Sequence, residues 1–154
     1  MRSHFHRALG ISLTAPKAWT AAATEVFPLL LLAPLRDTIR SNVGFSRSAV
    51  PPTATDAVDR ILAATRKEQE ADYSGFVERS VESLQVDGFP TILQTYRWQP
   101  IDAPEPLHQW FGLIHTASHG IIEINAFTVA SHAGQVTPTV RAIVDSIRFI
   151  PFSN

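Results

Sequence analysis

The sequence predicts an α+β protein in which an antiparallel β-sheet is flanked by two main helices. Three segments, residues 88–99, 106–115 and 120–129, are rich in β-branched and aromatic residues and follow one another with only turns or a short loop between them. Such connections require antiparallel pairing. Apolar residues recur at helical spacing in two further places, once before and once after this group of strands.

The first part of the chain predicts strands that are separated by prolines. Residues 1–8 are expected to be a flexible N-terminus, and residues 9–152 a single domain, because 154 residues suit one hydrophobic core. Alternating or continuous apolar residues predict three strands here, at residues 9–14, 27–33 and 42–48. Pro51 and Pro52 then interrupt the chain.

The first helix is predicted after these prolines and ends near residues 73–75. Thr53 or Thr55 is available as the N-cap, and Asp56 and Asp59 suit the positive end of the helix dipole. One stripe of the helix faces the core, formed by Val58, Ile61, Leu62 and Thr65.

The second half predicts hairpins and a closing helix. Residues 76–86 form a strand, and Asp87 and Gly88 are typical of a tight hairpin turn. A proline-rich loop at residues 99–106 joins the next two strands. Thr137 and Pro138 are predicted to begin the last helix, after which residues 148–150 add a short edge strand. The predicted order is β-β-β-α-β-β-β-β-α.

Composition excludes several classes of function. The net charge of −1 gives no basic surface for nucleic acid. The chain has no cysteine, so it has no disulfide, thiolate metal site or cysteine to acylate. The N-terminal residues lack the apolar region of a signal peptide, and the most apolar run, residues 26–34, is too short to span a membrane. We therefore expect a cytoplasmic protein without membrane insertion.

Residues that could carry catalysis or bind a metal are sparse. His108 and His115 lie seven positions apart on one predicted strand, so they face opposite sides of the sheet and cannot share a metal. No nucleophile elbow or nucleotide-binding glycine loop is present. Glu123 could face either histidine from a neighbouring strand. We expect no metal, no cofactor and no enzymatic activity.

The aromatic residues of the sheet provide the candidate binding site. If Trp98 lies opposite His108 across the loop, then Tyr96 lies opposite Trp110, and all four side chains share one face. These residues are either core beneath a helix or an open surface that binds an apolar segment of a partner.

Four short motifs make the sequence similar to the PsbP-like superfamily, which shares its fold with the Ran-binding Mog proteins. They are LTAPKAW at residues 13–19, NVGF at 42–45, VDGFP at 86–90 and IVDSIRF at 143–149. The resemblance covers residues 9–150 and includes the bacterial LpqN-type, DcrB-related and Eag chaperone branches. It implies an antiparallel sheet between helices and a non-enzymatic role in binding, chaperoning or assembling other proteins.

Two details bear on the branch. LpqN-type proteins typically carry a lipoprotein signal, whereas this sequence has no cysteine to be acylated, which speaks against an envelope location. YRWQ at residues 96–99 and LHQ at 107–109 are closer to the Eag-like branch, whose sheet face is thought to hold apolar helices of effectors.

The leading hypothesis from the sequence is a protein-binding or chaperone-type adaptor, with a possible link to secretion. Its candidate site is Tyr96, Trp98, His108 and Trp110. One alternative is a small-molecule binder or cryptic enzyme that uses His115 and Glu123 in a pocket between sheet and helix. Another is a homodimer formed through the sheet.

Overall fold

The computed structural model describes residues 1–152 and confirms the α+β class. Within these residues there are two α-helices, one short 3-10 helix at Ala130–His132, and ten strands. The strands and α-helices are β1 (Arg2–His6), β2 (Ile11–Ala15), β3 (Thr20–Ala22), β4 (Leu29–Leu32), β5 (Asn42–Arg47), α1 (Ala57–Asp72), β6 (Val77–Val86), β7 (Phe89–Trp98), β8 (Leu107–His115), β9 (Ile121–Val129), α2 (Ala133–Asp145) and β10 (Arg148–Phe149).

The strands form two antiparallel sheets. The larger has seven strands in the order β3-β4-β5-β9-β8-β7-β6, and the smaller has three in the order β1-β2-β10. Helix α1 packs on one face of the large sheet. Helix α2 and the small sheet pack on the other. The helices therefore lie on opposite sides of the sheet, as the sequence predicts.

The β6–β7 hairpin is confirmed at its predicted turn. Val86 pairs with Phe89, which leaves Asp87 and Gly88 as the two central residues. Both have positive φ, 51° and 81°. This backbone matches the right-handed twist of the strands, and Gly adopts it without steric cost.

Strands appear where the sequence did not predict them. The first eight residues, expected to be flexible, contain β1, which pairs along its whole length with β2. Strand β3 pairs with β4 through three residues only. Neither strand has a clear apolar alternation, because β1 is largely exposed and β3 is too short to show a period.

The predicted helix starts are wrong in detail. The N-cap of α1 is Asp56 rather than a threonine, and no side chain caps it. Helix α2 begins at Ala133, so Thr137 and Pro138 lie in its second turn. The Thr137 hydroxyl donates to the carbonyl of Ala133 at 2.6 Å. A proline at this position removes only one helical hydrogen bond, which allows the helix to start earlier.

Two hydrophobic clusters form the core, one on each face of the large sheet. The larger joins α2 and β2 to alternate residues of β4, β5, β8 and β9. The smaller joins α1 to β7 and β8 residues and includes Tyr96, Phe111 and Leu113. Among residues 1–152, the smaller cluster lies over β7, β8 and the start of β9, where it includes Ile121, and it contains no residue of β4 or β5.

Candidate functional site

The predicted pairing of β7 with β8, on which the four candidate residues depend, is wrong by one residue. Trp98 pairs with Leu107, and Tyr96 pairs with Gln109. A shift of one residue moves every side chain of a strand to the other face. Tyr96 and Trp98 therefore face α1, whereas His108 and Trp110 face α2.

The connection between β7 and β8 fixes this register. The side-chain amide of Gln99 donates to the carbonyls of Pro100 and Ala103, at 3.2 and 2.8 Å. The backbone N–H of Gln99 donates to the carbonyl of Ser74 at 2.8 Å. These tertiary contacts end β7 at Trp98.

His108 and Trp110 form a buried pair on the α2-facing side. Their rings meet edge to face with centroids 4.6 Å apart. His108 has 6% of its surface exposed and Trp110 has 4%. The Arg97 Nε donates to the His108 Nδ1 at 2.9 Å. Burial, followed by the charges of Arg97 and Arg79, lowers the pKa of His108 to about 4. The imidazole is therefore neutral at physiological pH.

Tyr96 and Trp98 belong to an aromatic group at the C-terminal end of α1. Trp98 stacks on Tyr73 with ring centroids 4.4 Å apart, and its indole Nε1 donates to the Oε1 of Gln109. The ring centroids of Tyr96 and Phe76 are 5.7 Å apart, and Tyr96 is 5% exposed. The structure thus brings two of the four predicted residues together and places the other two on the far side of the sheet.

A groove runs between α1 and β9 next to this aromatic group, and we call it the α1–β9 groove. It consists of two adjoining cavities of about 280 and 370 Å³. Both are lined by Thr65 and Glu68 of α1 and by Glu123 of β9. Tyr73 and Tyr96 line the first cavity, and Val50 and Arg60 line the second.

Glu123 stands in the middle of the groove and is half-buried. Burial raises the pKa of its carboxyl, an effect that a hydrogen bond from Ser46 partly offsets. Burial also raises the pKa of Tyr73, and the nearby carboxylates of Glu68 and Asp72 add to the effect. In both groups burial thus disfavours the negatively charged form.

Beyond the groove lies the part of the α1-facing sheet, on β4, β5 and the end of β9, that falls outside the smaller hydrophobic cluster of the described residues, and we call it the open half-sheet. Three of its apolar side chains belong to neither hydrophobic cluster among the described residues and are half-buried. They are Leu30 and Leu32 of β4 and Phe127 of β9. Asn42 pairs with both Leu32 and Phe127, so these residues form one continuous surface.

His115 and Glu123, the alternative catalytic pair, are not assembled into a site. They lie on the same face, as Leu113 pairs with Glu123 and Ile121 pairs with His115. However, the His115 Nε2 is 2.8 Å from the carbonyl oxygen of Pro52. His115 lines a separate cavity of about 500 Å³, together with Asp59 and Ile92.

Sequence reasoning missed most of the open half-sheet and the groove. Leu30 and Leu32 lie in an apolar run that indicated a buried strand, but they are half-buried, whereas Leu29 and Leu31 beside them are buried. Tyr73 follows the helix and carried no pattern of its own. The alternation of Asn125 and Phe127 with buried residues was a usable signal, since it marks a sheet face that is only partly covered.

Two features are absent from the described residues. No helix within residues 1–152 is long and apolar enough to cross a membrane. Across the same residues, no group of three or more His, Cys, Asp or Glu side chains is placed to hold a metal ion.

Comparison with known proteins was made at the level of sequence and of structure. No protein-family model matches the chain, and no curated protein matches it by sequence. Solved structures do match it. LpqN of Mycobacterium tuberculosis, described as involved in cell envelope biogenesis, has a TM-score of 0.69 and 12% identity over 92% of this chain and 83% of LpqN.

Two other similar structures come from a cyanobacterium and from yeast. The cyanobacterial PsbP from Synechocystis sp. PCC 6803 has a TM-score of 0.66 and 13% identity over 96% of this chain and 91% of its own. The Ran-binding protein Mog1p of Saccharomyces cerevisiae has a TM-score of 0.62 and 11% identity over 97% and 95%. The chain therefore has the fold of PsbP, LpqN and Mog1p, and the predicted PsbP-like fold is confirmed.

Proposed function

We propose that this protein is a non-enzymatic binding protein, of the chaperone or adaptor type, that holds an apolar segment of another protein on its open half-sheet. The observation that carries the proposal is the position of Leu30, Leu32 and Phe127. They are half-buried on one face and packed into neither core cluster. A continuous, partly uncovered apolar surface is typical of a site for a protein partner.

The surroundings of these residues suit a peptide segment. Asn42, Gln109 and Asn125 are half-buried on the same face and can form hydrogen bonds with a peptide. Phe27 lies against Gly44 in the middle of the surface, where a Cβ would come within 2.7 Å of its ring. Among the predicted residues, Trp98 contributes at the edge through its bond to Gln109, and Tyr96 through the adjoining groove.

The two remaining predicted residues have a different role in this proposal. His108 and Trp110 face the closed core, and we assign them to packing beneath α2. The description of Mog1p as Ran-binding supports the idea that this fold can serve protein recognition. It says nothing about which partner this chain binds.

A site-specific photocrosslink tests the proposal. Phe127 is replaced by p-benzoyl-phenylalanine, which keeps an aromatic ring on the open half-sheet. The control carries the same residue at Ala142, an exposed position on α2. We expect a crosslinked protein from position 127 only, with the attachment mapped by mass spectrometry to an apolar segment.

Three results would contradict the proposal. These are no crosslink at position 127, equal crosslinking at position 142, or a product composed of two copies of this chain. The last result would instead support the homodimer alternative.

A second candidate function, the binding of a small molecule, is favoured by the cavity beside His115. It lies between α1 and the β6–β7 hairpin, and its lining combines apolar residues such as Val58 and Ile92 with polar ones that include Asp59 and His115. A ligand held there would contact only one of the two predicted polar residues, since Glu123 lines the α1–β9 groove. An Ile92→Trp variant that fills this cavity would abolish such binding and leave the photocrosslink at position 127 unchanged.

A further inference from the structure

The two edges of the large sheet differ in length. One edge is β3, with three residues, and the other is β6, with ten. In the described part of the chain, no strand pairs with the outer side of β6. A long edge strand leaves a row of backbone N–H and C=O groups available to another strand, whereas a very short edge avoids this. The β6 edge is therefore the place where this sheet can be extended.

The regular part of this edge is residues 80–86. The pairing of β6 with β7 shifts at a bulge between Glu78 and Ser80, and from Ser80 it continues without interruption to the hairpin turn. Residues 80–86 contain no proline or lysine, and their only charged residue is Glu82, which Arg141 binds at 2.7 Å. The bulge and the charges of Glu78 and Arg79 oppose strand addition before Ser80, and such features are nearly absent after it.

The hairpin determines which backbone groups of β6 point away from β7. Val86 and Phe89 flank the two-residue turn and form its hydrogen-bonded pair. Bonded and non-bonded pairs alternate along antiparallel strands. The backbone N–H and C=O groups of Val81, Ser83 and Gln85 therefore point outward, where another strand can bond to them.

The side chains of the same three residues provide a projection and a cavity. They lie on the α1-facing side, because Ser83 pairs with Ile92, which packs against the smaller core cluster. Val81 has 38% of its surface exposed. Ser83 and Gln85 line the cavity of about 500 Å³ beside His115, together with Ile92. An apolar projection and a partly apolar cavity thus lie next to each other along one strand edge.

We propose that a second copy of this chain extends the large sheet through this edge, with residues 80–86 of the two copies paired antiparallel about a two-fold axis at Ser83. In this register Ser83 lies opposite its equivalent and Val81 lies opposite Gln85, so the outward backbone groups meet in hydrogen-bonded pairs. Each Val81 then projects onto the cavity beside Gln85 of the other copy. No like charges face each other directly, because Glu82 lies opposite Leu84.

Self-complementarity selects a second copy as the occupant of the edge. One segment supplies both the projecting Val81 and the cavity that receives it, as a two-fold interface requires. The segment is much shorter than the about 20–30 residues a side of a standard interface, so we expect a weak dimer with a Kd on the order of tens of micromolar. Phe127 lies on β9, three strands away from β6, so this dimer leaves the open half-sheet free.

A cysteine on the two-fold axis tests the proposal, because the chain has no cysteine of its own. Ser83→Cys brings two thiols to opposing positions with Cα atoms about 5.5 Å apart, a distance that a disulfide spans. Gln85→Cys is the matched control, since its two thiols would lie on either side of the axis, about 13 Å apart. With oxidised glutathione as oxidant, we expect Ser83→Cys to form a covalent dimer at least about tenfold faster than Gln85→Cys.

Sedimentation velocity measures the dimer without a crosslink. We expect the wild type to change from monomer to dimer between about 1 µM and 1 mM. Val81→Lys places a charge on the edge and should raise the Kd by about tenfold or more. Val77→Lys is its control, because Val77 is an exposed valine of the same strand that lies before the bulge. Thermal unfolding checks that both variants are folded.

Each outcome decides the proposal. A wild type that stays monomeric up to about 1 mM overturns the dimer. Equal rates of crosslinking for Ser83→Cys and Gln85→Cys overturn the register. An unchanged Kd for Val81→Lys, or an equal rise for Val77→Lys, overturns residues 80–86 as the interface. A dimer with these properties supports the inference even if position 127 crosslinks no protein, a result that would contradict only the proposed function.

Discussion

The two faces of the large sheet differ although the same strands form both. On the α2-facing side, Phe45 of β5 and Ile122 and Ile124 of β9 are fully buried. On the α1-facing side, their immediate neighbours Ser46, Glu123 and Asn125 are half-buried and polar. The first face accounts for most of the apolar core, and the second borders the α1–β9 groove.

On the α1-facing side, the sheet beneath α1 and the sheet beside it differ in how their polar groups are satisfied. Where α1 lies on the sheet, polar groups are paired, as in the reciprocal hydrogen bonds of Gln69 and Gln94. Beside the flank of α1, polar and apolar side chains remain partly accessible along the α1–β9 groove. Leu30 and Leu32, half-buried outside both clusters, are the reason why we propose a binding role for this half.

Neighbouring residues of β9 give the largest expected contrast. Ile124→Ala should lower the free energy of unfolding by about 2–5 kcal/mol, because it leaves a cavity in the closed core. Asn125→Ala should lower it by less than about 1 kcal/mol, because its side chain faces the groove. Urea denaturation of the two variants beside the wild type measures both values. Equal losses would mean that the α1-facing side is as tightly packed as the other.

The next largest effect concerns pH and the closed face. His108 has a pKa of about 4 in the folded protein, below its ordinary value of 6.5, so the unfolded chain binds the additional proton between these pH values. The stability that the neutral imidazole contributes is complete above pH 6.5 and is lost as the pH falls towards 4. We expect the wild type to lose on the order of 2 kcal/mol between pH 7 and 4.5 relative to His108→Gln.

Urea unfolding of the wild type and of His108→Gln at both pH values measures this difference. Glutamine can still accept the hydrogen bond from Arg97, so the comparison isolates the titration of the imidazole. Parallel pH dependence of the two proteins would show that His108 is not the responsible group.

A smaller effect is expected where α1 is joined to the sheet. Gln94→Leu leaves the buried Gln69 amide without its partner and should cost about 1–3 kcal/mol. The double variant Gln69→Leu/Gln94→Leu should recover part of this loss, because no unpaired amide remains. A double-mutant cycle from denaturant unfolding measures the coupling. Strictly additive losses would show that the pair does not hold α1 in place.

The smallest effect is expected at the surface. Arg141 of α2 pairs with Glu82 of β6 at 2.7 Å, and both side chains are close to half exposed. Arg141→Gln should change the free energy of unfolding by less than about 1 kcal/mol, and less still in high salt. A loss as large as that of Ile124→Ala would show that this link between α2 and the sheet edge is as important as the core.

Much of the fold was predictable because it depends on local patterns. The turn at Asp87 and Gly88 requires positive φ at two positions, and few residue pairs other than Asn-Gly or Asp-Gly allow it. The apolar stripe of α1 was correct at its centre, where Ile61 and Leu62 are buried. The short motifs at turns and packing positions predicted the PsbP-like fold, which the comparison of structures confirms.

The candidate site was only half predictable because register is not a local property. The sequence placed Tyr96 and Trp98 on one face with His108 and Trp110, and the two pairs lie on opposite faces. At the end of β7, Gln99 bonds to the loop and to Ser74 just beyond α1, and the bond to Ser74 joins residues that no periodic pattern connects. The observed start of α2 differs from the predicted one for a similar reason, since the 3-10 helix at Ala130–His132 leads directly into it.

The sequence by itself determined the fold class, the order of most elements, the hairpin turn and the scarcity of catalytic residue types. These depend on side-chain period, turn chemistry and composition, which act over a few residues. The tertiary structure alone decided which aromatic residues share a face and how far α1 extends across the sheet. It also decided that Glu68, Glu123, Tyr73 and Tyr96 meet in one groove. Such arrangements depend on contacts between residues distant in the chain, and a single-residue shift in pairing is enough to change them.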